Sequence, residues 1–183
     1  MTGSRHAGGT YYYHQTLFCF PCSCDLHDFW ILALALALSL RDDGAPRPAA
    51  VVTFSPWTDL AATGLSLDEN TARCAMFAGD TVRRATSFYV GAADATHPYV
   101  SPLYGDYRGL PPLLVHASVD EVLRDDAVRV AERARDAGLD VEVRLWHRVP
   151  HVWQFFPAIL PEAEQSLHAA AQFIMRNVGG SDR

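Results

Sequence analysis

Three short apolar runs constrain the fold more than any other feature of this chain. Ala49–Phe54 and Leu113–Ser118 have the length and content of buried strands, and Val141–Trp146 reads as a third strand. The first is preceded by Pro46 and Pro48 and stopped by Ser55-Pro56. Helical patterns separate them. Leu123, Ala127, Val130, Ala134 and Ala137 recur at spacings of three and four, and Gly138 closes that stretch. Pro161-Glu162 opens a last helix with Leu167, Ala170, Ile174 and Val178 predicted on its inner stripe. Ile31 to Leu40 alternates leucine and alanine, a period that suits a strand. Both residues are strong helix formers, however, no β-branched residue follows Ile31, and Arg41-Asp42-Asp43-Gly44 reads as a helix end, so a helix is predicted. Residues 66–90 read as two short helices broken around Ala78-Gly79-Asp80, and Thr96–Pro112 as a long ordered loop. Alternating strands and helices imply an α/β fold with a parallel sheet of about three strands and flanking helices.

At 183 residues the chain is about one domain long and can bury a sizeable core. Its net charge of -6 gives no footprint for nucleic acid, and no polybasic stretch suggests an anionic membrane partner. All 15 basic residues are arginine, which reads as codon usage in a GC-rich genome. The apolar run Phe29–Leu40 is shorter than the ~20 residues that span a bilayer. Cys19, Cys22 and Cys24 crowd together and Cys74 stands alone, unlike a secreted disulfide scaffold. With no signal-peptide pattern at the start, a cytoplasmic protein is expected. Cysteines 19, 22 and 24 with His14 or His27 are a weak zinc pattern, because a second well-spaced pair is lacking. No metal or cofactor is expected.

In parallel sheets chemistry collects at the carboxyl ends of the strands. That rule points to residues 55–60, 119–126 and 147–153. The second loop holds Asp120 and Glu121, and the third holds His151. An acid after one strand and a histidine after the next is the chain order of a nucleophile–acid–histidine relay. The carboxylate fixes the imidazole tautomer, and the imidazole takes the proton of a weakly acidic nucleophile. Standing alone, Glu121 reads first as a carboxylate favoured by a helix N-terminus, and His151 is compatible with a loop histidine; it is their pairing, after successive strands, that favours catalysis.

Five strings, in order, carry a resemblance: Ser55-Pro56-Trp57-Thr58-Asp59-Leu60, Tyr99-Val100-Ser101-Pro102-Leu103-Tyr104, Gly109-Leu110-Pro111-Pro112, Asp120 to Asp126, and Pro150-His151-Val152-Trp153. Residues 31–178, about four-fifths of the chain, resemble the C-terminal half of the hormone-sensitive lipase family, the fold-3 group of α/β-hydrolase esterases. The resemblance implies a partial α/β-hydrolase fold without its N-terminal strands. It also implies a carboxylic ester hydrolase with a Ser-Asp/Glu-His triad, a small-molecule ester as substrate and no cofactor. The family's Asp-Pro-Leu-Arg-Asp pattern aligns with Leu123-Arg124-Asp125, which puts Glu121 at the catalytic acid and His151 at the catalytic histidine. Asp120, one residue earlier, is the alternative acid. His116 reads as a sheet or core residue, and His97 and His147 as loop and strand-end residues without a named partner. Trp57, Trp153, Phe155 and Phe156 read as core first and as an acyl pocket second.

The family's nucleophile sits in Gly-Asp-Ser-Ala-Gly-Gly, a tight strand-to-helix turn. Counting back from Arg41-Asp42 places that serine at His27, with Phe29 and Trp30 where glycines belong and Ser23 as the nearest hydroxyl. His6-Ala7-Gly8-Gly9 matches the family's oxyanion loop only faintly and lies too close to residue 27. Residues 1–30 are therefore read as an atypical segment, 31–178 as the C-terminal half of an α/β-hydrolase domain, and 179–183 as a tail. A shifted reading frame, a wrong start or an internal deletion accounts for the change. The chain is expected to be inactive; a non-catalytic degenerate hydrolase that binds a ligand or partner is the alternative. A sheet lacking its first strands leaves an edge open to self-association.

Overall fold

The computed structural model describes residues 29–178. The elements run α1 (Phe29–Asp42), β1 (Val51–Phe54), α2 (Ser66–Glu69), α3 (Gly79–Val90), β2 (Leu113–Ser118), α4 (Arg124–Asp136), β3 (Val141–Trp146) and α5 (Pro161–Val178). Short 3-10 turns cover Pro102–Tyr104 and Trp153–Phe155. The strands form one parallel sheet in the order β1-β2-β3, with Val51 beside Leu113 and Leu113 beside Val141. All six residues of central β2 are buried, whereas β3 exposes Arg144 and Leu145.

Successive strand residues face opposite sides of a sheet. Val51, Leu113, Val115 and Ala117 pack against Leu34 and Ala37 of α1 and Ala127, Val130, Ala131 and Ala134 of α4. Leu114 and Phe54 on the other face meet Ala170 and Phe173 of α5. The alternating leucine–alanine stretch is helical, with Leu34, Ala37 and Leu38 buried and Leu32 and Leu36 facing out. Both predicted glycine stops hold. Gly44 has φ 64° and Gly138 φ 84°, and the amides after them reach back to Leu40 O at 2.8 Å and Ala134 O at 3.0 Å, the two ends of Schellman caps.

Three expectations need correction. The inner stripe of α5 is Ala163, Ser166, Ala170 and Phe173, while Leu167, Ile174 and Val178 are exposed. Both stripes share Ala170 and both fit a helical period; packing against Phe54 and Leu114 selects the one carrying Phe173. Within residues 66–90, α2 is a single turn and the break extends to residue 78. Side chains there compete with the helix: Thr71 Oγ1 donates to Leu67 O at 2.6 Å and accepts from Gly79 N at 2.9 Å. Finally, β1 begins at Val51, two residues later than predicted, once the chain has cleared Pro48.

Candidate active site

All three loops singled out lie at the carboxyl ends of the strands. Glu121 follows β2 and His151 follows β3, and the two side chains meet with Nδ1 of His151 2.6 Å from Oε2 of Glu121. Both are buried, at 1% and 2% exposure. The second oxygen, Oε1, accepts the backbone N–H of Ser118 at 2.8 Å. Ser118-x-x-Glu121 is the spacing by which a carboxylate reaches back to the N–H three residues earlier. That spacing is a signal legible in the sequence itself. Asn70 clamps the same turn, donating through Nδ2 to Val119 O and Glu121 O, both at 2.9 Å. Asp120 points elsewhere: its Oδ2 accepts the Arg148 backbone N–H at 3.2 Å.

The imidazole of His151 is further fixed by the edge of the Phe77 ring, 5.2 Å between centroids. Its loop is strained. Val152, a β-branched residue, has φ 46°, and its N–H donates at 3.1 Å to the hydroxyl of Ser55, itself at φ 48°. Positive φ costs a non-glycine residue roughly 1–3 kcal/mol and persists only where neighbours over-determine it. Here the first and third loops supply that constraint to one another.

A second polar cluster ties the Ser55–Leu60 loop to α4. Asp126 accepts the backbone N–H groups of Thr58 and Asp59 at 2.7 and 2.8 Å. Burial pushes its carboxyl up to about 7, while those two N–H bonds pull the other way. Asp59 is also buried, which raises its pKa. Bonds from Thr63, Arg129 and Tyr104 outweigh that and leave the carboxyl below its ordinary value. Asp59 and Asp126, which the sequence marks only as members of the matching strings, hold the loop from which Ser55 reaches Val152.

A cavity of about 320 Å³ opens beside the Glu121–His151 pair, lined by Arg73, Cys74, Ala75, Asp120, Arg148, Val149 and Pro150. Trp57, Trp153, Phe155 and Phe156 do not line it. Trp57 and Trp153 belong to the core, and Phe155 and Phe156 are exposed. His116 is a buried sheet residue, His147 is exposed, and His97 accepts the Tyr99 backbone N–H through Nδ1 at 3.2 Å. His6, Ser23, His27 and the cysteine group at 19, 22 and 24 with His14 lie outside the described residues. Among the described residues no three histidine, cysteine or acidic side chains are grouped to hold a metal ion, and no helix is long and apolar enough to cross a membrane.

Residues 31–155 match the family described as alpha/beta hydrolase fold. The chain belongs to that family, in its hormone-sensitive lipase branch. The chain is 39% identical over 148 residues to the acetyl-hydrolase of Streptomyces hygroscopicus, covering 81% of the chain and 50% of that protein. It is 35% identical to an esterase of Acinetobacter venetianus, covering 78% and 47% respectively. A solved esterase from the bacterial hormone-sensitive lipase family superposes with a TM-score of 0.77 at 39% identity, over 79% of this chain and 49% of the other. The chain thus spans about half the length of the curated relatives it matches. Its paired acid and histidine can fix an imidazole tautomer and stabilise the imidazolium formed when that ring accepts a proton.

Proposed function

We propose that residues 31–178 are the acid–histidine half of a carboxylic ester hydrolase, with Glu121 as the orienting acid and His151 as general base. The observation that carries this reading is the 2.6 Å contact between two buried side chains from separate strand-end loops. With Nδ1 engaged by the carboxylate, Nε2 is the nitrogen that takes the proton of the nucleophile and returns it to the leaving alcohol. An ester of a small alcohol or phenol is the substrate class, and no cofactor takes part.

The sequence puts His27 where the family pattern has its serine, so the 183-residue chain alone turns over short aryl esters barely above background. Residues 1–30 depart from the family pattern, and translating the upstream nucleotides in all frames should reveal Gly-Asp-Ser-Ala-Gly-Gly; finding no such reading would count against this account. Two assays test the reading. The chain alone should give background ester hydrolysis; rapid turnover abolished by His151→Ala would reveal a substitute nucleophile. A chimera joining the N-terminal half of the Streptomyces acetyl-hydrolase to residue 31 should hydrolyse such esters and lose that activity on His151→Ala. An active chimera indifferent to His151 would overturn the assignment.

The partner and compartment complete the proposal. The odd-numbered residues of β1 bond to β2, with Val51 N to Pro112 O at 2.8 Å and Ser55 N to His116 O at 2.7 Å. The even-numbered backbone groups face the other edge, which no described strand pairs. Exposed Leu32 and Leu36 lie on α1, which covers the same strand, so self-association through this edge is expected. Sedimentation of the purified chain should show concentration-dependent oligomers; a monodisperse monomer would refute this part. A cytoplasmic setting rests on the crowding of three of the four cysteines near the start.

A further inference from the structure

Directly below the strand ends, four elements bring polar side chains into the apolar layer between the sheet and α5. His116 comes from β2, Ser166 from α5, Gln154 from the 3-10 turn after His151, and Trp146 from the end of β3. His116 and Ser166 are fully buried and Gln154 nearly so, at 7% exposure. His116 Nδ1 lies 2.7 Å from Ser166 Oγ, and Gln154 Nε2 donates to the same oxygen at 2.8 Å. Three buried atoms in this cluster have no partner among the described residues: His116 Nε2, Trp146 Nε1 and Gln154 Oε1. Each such orphan costs about 1–3 kcal/mol if left dry.

The hydrogen-bond roles follow from counting protons. Ser166 Oγ already accepts from Gln154. Its own proton has an acceptor only if it donates to His116 Nδ1, which places the imidazole proton on Nε2. The unmatched set is then two donors, His116 Nε2–H and Trp146 Nε1–H, and one acceptor, Gln154 Oε1. No carboxylate or thiol is in the cluster, and burial together with the charge of Arg144 lowers the His116 pKa to about 4, so the ring is neutral at pH 7. With Nδ1 accepting from Ser166 and Nε2 protonated, the ring has no free nitrogen lone pair to offer a metal ion. The rings of Phe54 and Trp146 flank His116 at 5.7 and 5.9 Å between centroids, and Trp153 lies tilted against Trp146 at 5.7 Å.

We infer that one internal water binds here, its oxygen accepting from His116 Nε2–H and Trp146 Nε1–H while one of its protons goes to Gln154 Oε1. Three bonds to buried polar groups are what a typical internal water makes. This water ties β2, β3 and the turn that begins two residues after His151 into one network, and it needs no assumption about the reaction.

Long-range proton–nitrogen NMR of the isotope-labelled full chain reads the tautomer, and water-selective NOE spectra read the bound molecule. The expected result is a proton on His116 Nε2 and cross-peaks of slow-exchange sign from that proton and the Trp146 indole proton to water. Trp146→Phe removes one of the three bonds and should weaken the remaining cross-peak at His116 without changing its tautomer. A proton on Nδ1, or an Nε2 proton with no cross-peak to water, overturns the inference. A crystal structure supplies an independent readout. Density for one water within about 3.2 Å of the three atoms supports it, and direct acceptance by Gln154 from His116 overturns it.

Discussion

His116 and His151 are equally hidden from solvent, at 0% and 2% exposure, and each presents Nδ1 to an oxygen, yet they are built for opposite tasks. His116 sits inside β2 and meets a serine hydroxyl from α5; His151 sits beyond β3 and meets a carboxylate from the loop beyond β2. A histidine within a strand can reach only what the neighbouring layer offers, and here that is a neutral hydroxyl and aromatic rings. One at a strand end lies where loops from several strands converge, so a carboxylate can be brought to it without crossing the core. Burial alone therefore does not separate the two histidines; the charge of the partner does.

The largest effect that would test this contrast is on turnover in the active chimera. Glu121→Gln should lower kcat on the order of ten-thousandfold, the scale for removing a triad acid's charge while keeping its shape. Ser166→Ala, which removes the partner of His116, should change kcat less than tenfold. If the two variants lose activity alike, the two histidines are not separable and the contrast fails.

Next comes pH. The folded pKa of His116 is lowered from 6.5 to about 4 by burial and then by Arg144. The unfolded chain therefore takes up a proton that the folded chain refuses. Stability from the neutral ring is present above pH about 6.5, is lost as pH falls toward about 4, and levels off below, a change on the order of 3 kcal/mol. Asp126 acts with opposite sign. Its raised folded pKa, about 7, favours the protonated form, so its contribution is present at low pH and is lost as pH rises through 7. The two offset each other in the native chain. The difference in unfolding free energy between the native chain and His116→Gln isolates the histidine and should shrink as pH is lowered from 7 to 4. A pH-independent difference would show that His116 is not held neutral by the fold.

The strands β2 and β3 were legible to the residue, because turn residues bound them and β2 is an almost continuous apolar run while β3 alternates apolar and charged residues. The rule about strand ends then led to Glu121 and His151, and the structure brings these two side chains together. Two things were not legible. The α5 stripe was ambiguous because apolar residues lie on two faces, and only the position of Leu114 and Phe54 across the interface chooses between them. The strain at Val152 and its bond to Ser55 were invisible because they join residues 97 positions apart, and nothing in the sequence around either residue announces a positive φ. The Ser118–Glu121 reach was readable from spacing and was overlooked, since the turn it closes precedes α4 instead of opening it.

The smallest expected effect concerns that Ser55–Val152 contact, and it separates the surroundings of the two histidines most finely. Ser55→Ala removes the acceptor of the Val152 N–H, a buried donor, and should cost about 1–3 kcal/mol in denaturant unfolding. The loss falls on the loop that carries His151, because Val152 follows it directly and is held at φ 46°. His116 stands on the neighbouring strand with its own partners in α5, so its ring signals should stay in place while those of His151 move. Replacing Val152 with glycine removes the steric cost of positive φ along with the valine side chain. In that background Ser55→Ala should cost less than in the native chain, because a relaxed backbone no longer depends on the serine to hold it. Equal costs in both backgrounds would mean that the hydroxyl satisfies a donor but does not hold the strained turn.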